Sequence, residues 1–84
     1  MQLQSKDLID LKIEKTLYPL FGNLSEIIVE VNKKKINEKN INDKEYAILL
    51  IQEIKKFIDK FAGEEIADKT YRELLKSFKF ETGE

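Results

Sequence analysis

The 84-residue sequence contains no cysteine, no histidine and no tryptophan, a single proline and three glycines. Without cysteine there are no disulfide staples, no thiolate zinc site and no sulfur nucleophile. The lack of histidine removes the usual general base, the commonest transition-metal ligand and the usual pH switch. Gly22, Gly63 and Gly83 stand alone, so no glycine-rich loop is available to cradle a phosphate. Long apolar runs are missing as well. The longest, Tyr46 to Ile51, is far short of the roughly 20 residues that span a bilayer. The opening MQLQSKDLID has neither the basic start nor the apolar middle of a signal peptide, and a cytoplasmic protein is expected. Nor does one sign of charge dominate. Fifteen Lys and Arg stand against 16 Asp and Glu, a net charge of -1, which argues against a general polyanion binder, so no nucleic-acid partner is expected.

What is present is 42% hydrophobic and 37% charged residues, interspersed. At this length a chain buries about 60 to 65% of its unfolded surface, enough for one core, so residues 1–84 are read as a single domain. No low-complexity tract or internal repeat is visible.

Four helices follow from period and punctuation. The first runs from Ser5, a candidate N-cap with Asp7 in the first turn, to about Tyr18. Ile9, Ile13 and Leu17 repeat at helical spacing, with Leu8 and Leu11 to one side. Pro19 should stop or kink it, and Gly22-Asn23 completes the break. The second opens at Asn23 or Ser25; Asn23 with Glu26 three residues on resembles a capping box. Leu24, Ile27, Ile28 and Val31 mark one face, and the helix is expected to reach about Lys35. The β-branched Ile27-Ile28-Val29 offers a strand as the rival, but no alternation continues it.

Residues 36–41, INEKNI, read as a loop pinned by two isoleucines. Asn42 and Glu45 repeat the capping-box spacing and start a long third helix ending at Gly63. Ala47, Leu50, Ile51, Ile54, Phe57, Ile58 and Phe61 form its face; Tyr46, Ile48 and Leu49 widen it, which marks this helix as central. Asp68 is expected to cap a fourth helix to about Lys79, with Tyr71, Leu74, Leu75 and Phe78 inward and Asp68–Arg72 as an i, i+4 pair. Four amphipathic helices on short connections imply an all-α, antiparallel up-down four-helix bundle.

Carboxylates are the only candidates for acid–base work. Asp7, Asp10 and Glu14, then Glu26 and Glu30, then Glu64 and Glu65 are read as solvated faces. A di-metal bundle site needs Glu-x-x-His motifs, absent here, so no metal, cofactor or catalytic residue is expected. Serines and threonines lack a histidine partner. Lys33, Lys34 and Lys35 with Lys55, Lys56 and Lys60 solubilise helix ends, with contact to anionic lipid as the alternative. Phe57, Phe61, Tyr71 and Phe78 are expected in the core, and Phe80, beyond the last repeat, is a candidate contact residue.

From Leu24 onward the stretches LSEIIVEVNKKK, INEKNIND, YAILLIQEIKKFIDKF and AGEEIADKTYRELLKSF resemble the class IIa bacteriocin immunity proteins, the enterocin A immunity family, over about Leu24 to Phe78. In that family a helix ending in lysines precedes a polar loop, a long apolar helix, a short break and a last helix with an early aromatic. The resemblance implies an antiparallel four-helix bundle in the producer's cytoplasm, peripheral at the inner membrane face. It further implies protection of the cell by binding a membrane receptor–bacteriocin complex and locking it closed. Specificity would then lie on the fourth helix and tail, around Lys69, Arg72, Lys76, Lys79 and Phe80. The alternative is a small helical inhibitor or adaptor of phage or mobile-element type acting on a host protein.

Overall fold

The computed structural model describes residues 5–36 and 40–78, which form four α-helices, with no strand among the described residues. Helix α1 spans Ser5–Phe21, α2 Leu24–Lys33, α3 Asp43–Ala62 and α4 Glu64–Phe78. The fold class read from periodicity, an all-α four-helix bundle, is the one observed, and the strand alternative for Ile27-Ile28-Val29 falls away.

The core gathers Ile13 and Leu17 from α1, Ile28 and Val29 from α2, Leu50, Ile51, Ile54 and Ile58 from α3, and Ala67 and Leu74 from α4. Because α3 supplies the longest buried row, it touches all three other helices. Ile36 and Ile41, the isoleucines flanking the α2–α3 loop, pack half-buried against this core. Residues 37–39 of that loop lie outside the described residues.

Helix α3 begins as its sequence demands. The Glu45 amide donates to Asn42 Oδ1 at 2.8 Å and the Asn42 amide donates to Glu45 Oε1 at 3.2 Å, a complete capping box. It ends at Gly63, whose φ of +98° only glycine adopts without strain. The same residue starts α4, since the Gly63 carbonyl accepts from the Ala67 amide at 3.1 Å. One residue therefore serves both helices, and α4 opens at Glu64 rather than at Asp68. Asp68 instead lies 3.5 Å from Lys55 of α3, not paired with Arg72.

Three other expectations about helix ends need correction. First, α1 continues through Pro19 to Phe21. The proline stands in the last turn, so the one bond it removes, to the carbonyl of exposed Lys15, lies at the end of the helix. Second, Asn23 makes no side-chain cap; its backbone is already helical, and Ser25 bonds back to the Gly22 carbonyl through both amide and hydroxyl, at 3.0 and 2.7 Å. Third, α2 ends at Lys33, with turns at Lys34 and Lys35.

The largest departure is the rotation of α2. The apolar stripe Leu24, Ile27, Val31 lies at the surface, while Ser25, Ile28, Val29 and Asn32 face inward. Lys33 reaches Asp10 of α1, with Nζ 2.9 Å from Oδ2. At roughly 100° per residue, turning Leu24, Ile27 and Val31 inward would swing Lys33 away from that partner. The inward polar groups are satisfied locally: Ser25 as above, and Asn32 by donating to the Ile28 carbonyl at 2.7 Å and accepting from Lys35 at 3.2 Å. A hydrogen-bonded polar group is buried at little cost, so a two-residue apolar face suffices. In α4 the inward set shifts likewise to Ala67, Thr70 and Leu74, with Tyr71, Leu75 and Phe78 half-buried.

Candidate functional site

Lys69, Arg72 and Lys76 are all exposed on α4 at i, i+3 and i+7, and therefore share one stripe. Glu65 and Glu73, also exposed, flank it, so the stripe is mixed in charge rather than a basic field. Lys79 and Phe80 lie outside the described residues. Three of the five residues expected to meet a partner are thus on one face.

The lysine clusters are largely occupied within the molecule. Lys33 pairs with Asp10, Lys35 bonds Asn32 and lies over the Phe57 ring, Lys55 meets Asp68 and stands 4.9 Å from the Tyr71 ring centre, and Lys56 pairs with Glu53. Such contacts divert these ammonium groups from the lipid-facing patch weighed as an alternative.

Asp10 was expected on a solvated face and is instead only 9% exposed. Its Oδ1 accepts from the hydroxyl of fully buried Tyr46 at 2.7 Å, and its Oδ2 holds Lys33. With an acceptor oxygen for each donor, this carboxylate is a junction tying α1, α2 and α3. No side-chain polar atom buried among the described residues is left without a partner. Nor do three Asp or Glu side chains among them stand close enough together to hold a metal ion.

What sequence periodicity did not locate is an apolar end. The Phe21 and Phe61 rings stand 6.4 Å apart, and Phe61 meets Phe57 at 5.6 Å. That contact brings the α1–α2 link beside the α3–α4 link. Tyr18, Leu20, Leu24, Ile27, Phe61 and Ile66 all lie within a turn of those links, and all are exposed, Tyr18, Ile27 and Phe61 by more than half. Phe61, read as core from its spacing, is 54% exposed, although its ring meets those of Phe21 and Phe57. Lys69 follows Ile66 by one turn, so the α4 stripe begins at this end.

Beside the apolar end, a groove of about 350 Å³ runs between α1 and α2, lined by Leu11, Glu14, Lys15, Tyr18, Ser25 and Glu26 among others. Burial and the neighbouring charges of Glu26, Glu30 and Asp10 raise the Glu14 carboxyl above its usual value near 4.5.

Comparison with protein-family models, with curated proteins and with solved structures finds no match to this chain. Among the described residues, no helix is long and apolar enough to cross a membrane.

Proposed function

We propose that this chain protects a cell by stoichiometric binding, in the manner of the bacteriocin immunity proteins that its sequence resembles, and not by turnover. Its partner is a protein, a membrane receptor–bacteriocin complex met at the cytoplasmic membrane face. The observation that carries the reading is the apolar end: six large apolar side chains exposed around two adjacent helix links. These side chains are 40 to 58% exposed, so a partner that covers them recovers about half of the full burial energy, about 1 kcal/mol for each. The stripe of Lys69, Arg72 and Lys76 starts at that end and supplies polar contacts around an apolar centre, the common anatomy of a protein interface. The order of elements supports the same reading, with lysines closing α2 and a long α3 followed by a one-residue break before α4.

The test is expression in a strain sensitive to class IIa peptides, with survival measured across a broad panel. Raised survival against at least one peptide is expected. If none is better tolerated, the immunity reading is wrong, and an inhibitor or adaptor acting on a host protein through the same surface takes its place.

A further inference from the structure

The groove between α1 and α2 combines two features that a solvated helix pair does not need. Its walls are largely apolar, with Leu11 and Tyr18 exposed along α1; Glu14 and Glu26 line it, and Glu30, one turn beyond Glu26, adds its charge to the surroundings of Glu14. Among the described residues no cation pairs with Glu14, Glu26 or Glu30, whereas Asp10, one turn before Glu14, is held by Lys33. Burial first, and then the charges of Glu26, Glu30 and Asp10, raise the proton affinity of Glu14. Lys15 also lines the groove, so the carboxylates outnumber the cations there without excluding them. These carboxylates are spread along two helices and not gathered as ligands around one point, which suits a row of cations and not a single metal ion.

We infer that the α1–α2 groove seats an amphipathic helical segment of a partner protein, its apolar stripe against Leu11 and Tyr18 and its lysines or arginines against Glu14, Glu26 and Glu30. The choice of occupant rests on charge complementarity: a cationic segment relieves the repulsion, and an acidic one adds to it. Helix-in-groove docking supplies the geometry, since residues at i, i+3, i+4 and i+7 of the segment line one side. The groove opens at Tyr18 and Gly22 onto the apolar end, so a seated helix continues over that surface. This deepens the binding reading by naming the chemistry of the partner.

The probe is a leucine–lysine peptide of about 14 residues, patterned as an amphipathic helix, with a glutamate-for-lysine counterpart as control. Titrated into the labelled 84-residue chain, the cationic peptide is expected to move amide resonances around Leu11, Tyr18 and Glu26. The acidic counterpart should leave them in place. Joint substitution Glu14→Gln and Glu26→Gln should weaken binding by about five-fold or more, whereas Asp43→Asn with Glu53→Gln, an equal change of net charge on α3, should change it by less than about two-fold. Equal weakening by the two pairs would reduce the effect to net charge and overturn the inference. So would equal binding of the acidic peptide, resonance changes confined to α4, or a concentration-dependent dimer that closes the groove without peptide. A protein that binds the peptide here yet protects no strain separates the groove from the immunity reading. Protection without peptide binding refutes the groove alone.

Discussion

The Tyr46 hydroxyl donates to the Asp10 carboxylate across 2.7 Å of buried space between α3 and α1, and Lys33 of α2 completes the carboxylate on its other oxygen. This contact joins three helices through residues that are 36 positions apart at its ends. It explains why α2 turns its more apolar stripe outward: the orientation that keeps Lys33 on Asp10 places Val29 inside and Ile27 outside.

Tyr46→Phe keeps the ring and removes the donor, leaving one carboxylate oxygen unsatisfied. A loss of about 1.5 to 3 kcal/mol is expected, the usual range for a hydrogen bond to a charged group. Because Asp10 is the shared partner, Tyr46→Phe combined with Asp10→Asn should cost less than the two single changes together. Urea unfolding of the four proteins measures this, and strict additivity would show that the contact carries no coupling.

The rotation of α2 makes a sharp contrast. Ile27→Lys should leave stability within about 0.5 kcal/mol, since the side chain is already more than half in water. Val29→Lys, at a fully buried site, should prevent stable folding at ordinary temperature. In α3, Ile54→Ala should cost about 2 to 5 kcal/mol and Phe61→Ala much less. Thermal and urea midpoints check each pair, and similar losses at inward and outward positions would refute the assigned faces.

Glu14 gives a pH signature. A carboxyl whose proton affinity is higher in the folded state than in the unfolded state imposes no penalty below the unfolded pKa near 4.5; the penalty reaches full size as pH rises through the folded value. Glu14→Gln should therefore stabilise the protein at pH 7, and the gain should vanish near pH 3.5, about one unit below the unfolded value. Denaturant midpoints at the two pH values decide the matter; a gain equal at both would mean that charge is not its source.

Helix existence was legible from the chain because apolar spacing and punctuation agree along most of it. The Asn42–Glu45 box and Gly63 set both ends of α3 as written. Failures arose where tertiary contacts outbid local signals. Asp68 has the composition of a cap but meets Lys55, and α4 starts from the carbonyl of Gly63. The inward face of α2 was misread because burial of Ser25 and Asn32 depends on bonds to their own helix turn, which hydrophobic spacing does not register. Asp10 could not be told from the other acidic residues of the first helix, since its partners arrive from α2 and α3. Lys69, Arg72 and Lys76 came from the family resemblance and not from spacing; their common stripe follows from the register of α4. The apolar end was not, because it exists only once Phe21 and Phe61 bring two distant links together.

The decisive measurement sets survival beside folding for a variant of the apolar end. A sensitive strain expressing Ile27→Lys with Phe61→Lys is compared with one expressing the unaltered chain, under challenge by a class IIa peptide that the latter resists. Loss of protection by a variant whose thermal midpoint stays within about 4 °C of the parent is the expected result. Full protection by that variant would contradict binding through the apolar end.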